Sequence, residues 1–399
     1  MYIFSRTIIS SVCLSILILG PLFVDAKTTT HDLKVSGWMP YWRDSESIKD
    51  VKKHLTNIDA VYPFAFTVTT KGELRDQAGL DDREWTSLIR NAQRKHVLVI
   101  PSVMWSDGAI IHSVLSSTTA RASHIDSIVQ MVKEGKFDGV NIDYESKKSE
   151  TINFFSLFLK ELKDELDGKL LTCAIEARTP PESLYKVIPE KIEYANDYTE
   201  IAKYCDEVEL MTYDQQRADL LLNAAKAGQP YMPLSDADWV EKVIQFALKD
   251  IPKEKIVLGI PTYGHHYAVT VAPDWYRDYK KIGALNVPDI LDVARDYKVT
   301  PSRNRAGEMS YTYLPKSSTV KLSRSLKIPS DTPKGNLIAA RALAYANKTG
   351  KEVTFNMAWY SDAEAMKQKI DLAKKYELKG VALFKFDGEE DQKVWRYLR

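Results

Sequence analysis

From Val35 onward the chain repeats one unit, a short β-branched or aromatic run followed by a longer amphipathic stretch. Runs at 35–41, 60–68, 97–104, 139–145, 170–177, 207–213, 256–262 and 380–386 have the composition of buried strands. Between them, 82–95, 120–133, 150–167, 236–249 and 362–376 carry apolar residues at helical spacing. In 150–167 the stripe is Phe154, Phe155, Phe158, Leu159 and Leu162, which must bury against a sheet. Strands separated by helices run parallel, and eight is the number that closes. The pattern therefore predicts an α/β protein built as a (β/α)8 TIM barrel. An open doubly wound sheet is the alternative, but no Gly-rich dinucleotide loop follows the first strand.

Residues 265–350 break the rhythm. They are rich in Tyr, Arg and Pro and hold no clean strand–helix unit before 337–346. A connection that long needs structure of its own, so a small α+β insertion domain is expected between strands seven and eight. That assigns 27–264 and 351–399 to the barrel. Residues 1–26 differ again: Arg6 precedes an apolar run from Thr7 to Val24 that ends in Val24-Asp25-Ala26. This is the layout of a cleaved secretory signal peptide, with an uncleaved anchor as the alternative, and it predicts action outside the cytoplasm.

Charge narrows the partners. Lys plus Arg total 55 against 54 for Asp plus Glu, a formal net charge of +1. Nothing in that balance calls for nucleic acid or an anionic membrane, and a neutral substrate handled by a monomer is the default. No CxxC pair or HExxH segment supplies metal-ligand spacing, so no metal or other cofactor is expected. Cys13 lies in the leader, leaving Cys173 and Cys205. Two thiols in an exported chain can pair. However, Cys173 sits in the apolar run Leu170-Leu-Thr-Cys-Ala-Ile175, and a free core thiol is expected.

A barrel of this kind puts its chemistry at the C-terminal ends of its strands, and strand four is unusually polar there. Side chains alternate along a strand, so Asn141, Asp143 and Glu145 share one face with Gly139, while Val140, Ile142 and Tyr144 share the other. The apolar set belongs against the helices, which leaves a file of Asn, Asp and Glu pointing into the barrel mouth. Two carboxyls that close raise one another's pKa and can keep Glu145 protonated as a general acid. A polar plug filling the top of the barrel is the bland alternative. His265 and His266 read as loop histidines, and Trp38, Trp42 and Trp105 are as suited to core packing as to a cleft.

These segments resemble glycoside hydrolase family 18, the chitinase-like fold. Its strand-four signature is Asp-x-x-Asp-x-Asp-x-Glu, and this chain has Asp138-Gly-Val-Asn141-Ile-Asp143-Tyr-Glu145. Met211-Thr-Tyr-Asp214, Gly259-Ile-Pro-Thr-Tyr-Gly264, Trp359-Tyr-Ser-Asp362 and Gly380-Val-Ala-Leu-Phe384 agree in order. The resemblance implies a retaining, substrate-assisted hydrolase of β-1,4-linked N-acetylglucosamine glycans, in which the substrate's own acetamido group attacks the anomeric carbon. It implies Glu145, Asp143 and Tyr213 as catalytic residues and Asn141, Met211, Asp214, Trp359, Phe384 and Tyr41 as substrate-binding ones. Asp138, on the opposite strand face, is implied as structural support. Two positions depart from the pattern: Asn141 replaces the middle Asp, and Phe384 replaces a Trp beneath the reacting sugar. Asn-Ile-Asp-Tyr-Glu is similar to the bacterial branch acting on peptidoglycan, including spore-cortex N-acetylglucosaminidases. A chitin-type substrate and a non-catalytic carbohydrate-binding lectin are the alternatives, the latter disfavoured by the retained Glu145.

Overall fold

The computed structural model describes residues 32–398, so the leader expected at 1–26 lies outside the described residues. Among the described residues, eight strand positions close into a parallel barrel. They are β1 (Lys34–Pro40), β2 (Ala60–Val68), β3 in two pieces (Leu98–Val99 and Ser102–Trp105), β4 (Gly139–Tyr144), β5 (Leu170–Glu176), β6 (Glu207–Met211), β7 (Ile256–Pro261) and β8 (Gly380–Phe384). Each pairs with its neighbour in chain order, and β1 joins both β2 and β8, which excludes an open sheet. The break in β3 falls at Pro101, which has no N–H to give the ladder.

The helices take the places their periodicity dictates. Helix Ile152–Glu165 buries Phe155, Phe158, Leu159 and Leu162 on one stripe. Each such side chain contributes about 1.5–3 kcal/mol on leaving water. Asp236 and Asp362, expected as first helical residues, instead cap the helices behind them by accepting from Asp238 N and Ala365 N. Helices and outward strand residues form the main core. Inside the barrel, Trp38, Ala60, Tyr62, Phe64, Ile100, Ala174, Val257 and Ala382 make a second, smaller one.

The described residues also form an antiparallel, five-stranded sheet between β7 and β8. Its order is Trp275–Leu285, Gly264–Ala272, Val353–Tyr360, Met309–Tyr313 and Ser302–Arg303, with helices Val287–Asp296 and Leu337–Thr349 against it. The sheet extends beyond residue 350, so strand Val353–Tyr360 belongs to it and not to the barrel. His265 and His266 accordingly lie in a strand and not in a loop.

Cys173 and Cys205 are joined in a disulfide, with Cα atoms 6.1 Å apart, which corrects the expectation of a free thiol. Cys173 does face the apolar layer outside β5. Cys205, at the end of helix Tyr198–Tyr204 just before β6, faces the same layer, and both are fully buried. An apolar setting and a partner are compatible.

Candidate active site

The outward face of β4 fixes its inward face. Tyr144 is fully buried, its ring 5.4 Å from Phe158 and 6.1 Å from Phe155, and its hydroxyl pairs with His124 Nε2. Burial lowers the His124 pKa to about 4, so the imidazole is neutral. With Nδ1–H directed at Gly72 O at 2.7 Å, its Nε2 is left to accept the tyrosine proton. Asn141 and Asp143 are thereby turned into the barrel.

Asn141 spends its whole amide there. Oδ1 accepts from Ser102 Oγ at 2.8 Å and Trp38 Nε1 at 3.2 Å; Nδ2 donates to Thr172 Oγ1 at 2.8 Å and Glu209 Oε2 at 3.1 Å. With four bonds made and no exposure, it is a barrel tie and not the substrate contact the sequence suggested. Asp143 differs. It is 4% exposed, and its Oδ1 meets no hydrogen-bonding atom among the described residues. Burial above all, then the charges of Glu145, Glu176 and Glu209, push its carboxyl well above the usual range, with Lys147 opposing.

Glu145 follows β4, its N–H held by Trp105 O at 2.8 Å, and its side chain is partly buried at the rim. Burial, Glu176 and Asp214 raise its pKa against the pull of Lys147. The chain then turns at Ser146, with φ of 55°, and sends Lys147 back inward. The Lys147 ammonium donates to Tyr144 O, lies 3.7 Å from Glu176 Oε2 and sits 4.6 Å over the Phe155 ring. Glu176, ending β5, also accepts from Asn196 Nδ2 at 2.7 Å. The acids at the mouth thus share one buried cation that sequence reading did not single out.

Tyr213 follows β6, its ring stacked on Phe384 at 5.4 Å and 23°. Gly259 makes room for it: a Cβ there would come within 2.9 Å of Tyr213 Cε1 and 2.6 Å of Leu210 O. Burial and the carboxyls of Asp143, Glu145 and Asp214 raise the phenol pKa, so its hydroxyl remains a donor. Asp214, at φ of 53°, accepts from Tyr263 Oη at 2.8 Å and lies 3.3 Å from His265 Nε2. Phe384 is seated edge-on against Trp38, Phe64 and Tyr263. A cleft of about 370 Å³ opens over it, lined by Trp42, Arg43, Asp214, Tyr263, Lys281 and Phe384. Tyr41 and Met211 are partly buried, and Asp138 accepts the Val99 N–H at 2.8 Å.

Trp359 is not in this group. It is 1% exposed, and its Nε1 donates to Glu308 Oε2 at 2.6 Å, so the substrate-facing role expected from its motif is overturned. Trp105 and Trp38 are likewise buried, leaving Trp42, 49% exposed, as the Trp that reaches the cleft. Glu145, Asp143, Tyr213, Asp214 and Phe384 come together, and Glu176, Lys147 and Glu209 join them. A carboxyl of raised pKa at a rim, a buried carboxyl behind it, a phenol donor and an aromatic floor can protonate a leaving oxygen and stabilise developing positive charge.

Comparison with known proteins agrees in extent. The model of the family described as "Glycosyl hydrolases family 18" matches residues 35–389. The uncharacterized glycosylase YvbX of Bacillus subtilis is 22% identical over 364 residues, covering 89% of this chain and 88% of that protein. The chitinase structure from Chromobacterium violaceum superposes with a TM-score of 0.66 at 20% identity, over 92% of this chain and 98% of that one. The Bacillus megaterium spore cortex-lytic enzyme SleL gives 0.65 at 19% identity, over 92% of this chain and 73% of that one. At such identities the structural likeness speaks for the fold.

Proposed function

The chain belongs to glycosyl hydrolase family 18, and from that premise we propose that it cleaves β-1,4 links of N-acetylglucosamine glycans with retention, peptidoglycan type before chitin type. The observation that carries this reading is the pairing of Glu145 at the rim with the unpartnered, buried Asp143 and the phenol of Tyr213. Glu145 gives its proton to the glycosidic oxygen as that oxygen leaves the anomeric carbon. The acetamido carbonyl oxygen of the same sugar bonds to that carbon from the other side, forming an oxazolinium ion. Tyr213 donates to the carbonyl oxygen and orients it. Asp143 accepts the acetamido N–H and its negative charge balances the ion. Glu145, now a carboxylate, takes a proton from the water that opens the ring.

The segment Asn141-Ile-Asp143-Tyr-Glu145 and the names of the relatives, a Bacillus glycosylase and a spore cortex-lytic enzyme, support the peptidoglycan type. The apolar run before Asp25 supports action outside the cytoplasm. Nothing at the site calls for a partner chain, so the working unit is taken as a monomer. The test is Glu145→Gln, assayed beside the wild type on chitin oligomers and on peptidoglycan. A drop in kcat of about 10²–10⁴ with the fold intact is expected. Undiminished turnover would sink the assignment, and glycan binding without turnover by the wild type would make the protein a lectin.

A further inference from the structure

Below the catalytic residues, the barrel holds a carboxyl that the proposed chemistry leaves unused. Glu209, two residues before Met211 on β6, is fully buried. It accepts from Tyr62 Oη at 3.1 Å and from Asn141 Nδ2 at 3.1 Å, and so hangs on the same amide that ties β4 to its neighbours. Beneath it Glu207 meets Lys34 Nζ, Tyr62 Oη at 3.5 Å and Lys379 Nζ at 3.5 Å. The barrel floor therefore neutralises Glu207 with two lysines, while Glu209 has only neutral donors. Above it, Asn141 has no hydrogen bond left for Asp143, and Asp143 Oδ1 has no partner. Behind burial and the nearer acids, the charge of Glu209 adds to what raises the pKa of both Asp143 and Tyr213.

We propose that Glu209 is a positioning residue whose protonation state sets whether Asp143 already stands ionised when the glycan binds, so that no proton has to leave Asp143 during the reaction. With Glu209 neutral, Asp143 gives its proton to solvent before the glycan binds, and its standing negative charge balances the oxazolinium ion. An ionised Glu209 puts a second negative charge into the same closed barrel and holds a proton on Asp143. The groups that act on Glu209 are Lys34 from β1, Tyr62 from β2, Asn141 and Asp143 from β4, and Glu207 and Tyr213 from its own strand and its end; Thr172 on β5 shares the Asn141 amide, and Lys379 ahead of β8 meets Glu207. Burial, then the charge of Glu207, raises the Glu209 pKa to about 7, with Lys34 and Tyr62 opposing. The charge of Glu209 therefore changes near neutral pH.

This inference rests on the roles given to Glu145 and Asp143. The experiment is the pH profile of kcat and KM on an N-acetylglucosamine oligomer for the wild type, Glu209→Gln and Tyr62→Phe. The wild type should lose kcat through an ionisation near 7 that Glu209→Gln lacks, with KM little changed because neither residue touches sugar. A charge on β6, two strands from β4 across the closed barrel, shifts a buried carboxyl by enough to change the rate about tenfold at pH 8. Tyr62→Phe removes a donor that favours the Glu209 carboxylate, so the same limb should move to higher pH; it serves alone if Glu209→Gln does not fold. A Glu209→Gln profile superimposed on the wild type, or a limb that Tyr62→Phe leaves in place, overturns the inference while the proposed function stands. A wild type that turns over no such glycan defeats the proposed function first.

Discussion

Two buried acids sit at opposite ends of one design choice. Glu308, between the barrel and its inserted sheet, accepts from Leu234 N at 3.0 Å, Ser235 N at 3.1 Å and Trp359 Nε1 at 2.6 Å, and the fully buried Lys369 offers it a counter-charge. Asp143 at the barrel mouth is as deeply buried, yet one oxygen has no partner and most of its charged neighbours are acids. Burial raises both pKa values, so titration alone does not tell structure from chemistry. Satisfaction does: the acid with every donor supplied is a fastener, and the one denied them is available to a substrate.

The contrast is broken most forcefully at the fastener. Glu308→Ala leaves three donors without an acceptor and Lys369 without its counter-charge, and should cost about 3–5 kcal/mol in denaturant unfolding, while the folded fraction keeps its kcat within a few-fold. Removing Asp143 should do the reverse. Asp143→Asn is expected to lower kcat about 100-fold, equivalent to about 2.7 kcal/mol, yet not to lower Tm at neutral pH. The sign follows from the raised pKa of the folded state. Folded protein then holds the Asp143 proton where unfolded protein has lost it, so wild-type stability falls as pH rises from the ordinary carboxylate range toward the folded pKa. The Tm advantage of Asp143→Asn should therefore be absent at pH 3 and grow as pH rises above the ordinary carboxylate range; an advantage confined to acid pH would refute the assignment. Gly259→Ala probes the mouth more gently. It forces the Leu210 carbonyl as well as the Tyr213 ring to shift and should cost about tenfold in kcat, with a smaller change in KM. Smallest is Trp359→Phe, which removes one hydrogen bond to Glu308 and should cost about 1–2 kcal/mol of stability without altering KM for any glycan. A raised KM would return Trp359 to the cleft.

Much of this was legible in the sequence, because period two and period 3.6 are enforced by burial. The runs at 60–68 and 139–145 and the stripe Phe155, Phe158, Leu159 and Leu162 had nowhere else to go. The same alternation that turned Asn141 and Asp143 inward on β4 puts Glu207, Glu209, Met211 and Tyr213 on one face of β6, and applying it there would have found Glu209. Lys147 had no such signal, since its return into the barrel depends on the turn at Ser146. Trp359 misled because a motif tells which residue recurs and not which way it points; only its bond to Glu308 does that. The disulfide was missed because apolarity near a thiol speaks for burial and is silent about a second thiol across the layer.

The inserted sheet begins and ends at one point. Gly264 pairs with Tyr360, and Ser361 N donates to Tyr263 O at 3.1 Å. To the barrel, everything between those residues is therefore equivalent to a tight turn joining β7 to the helix Ala363–Lys375. Lengthening what is hung beyond that turn adds only slowly to the entropy of closing it, about 0.6 kcal/mol per doubling. The cleft wall can accordingly be lengthened or trimmed in its loops between Tyr263 and Ser361, so long as the bonds from Leu234 and Ser235 to Glu308 are kept.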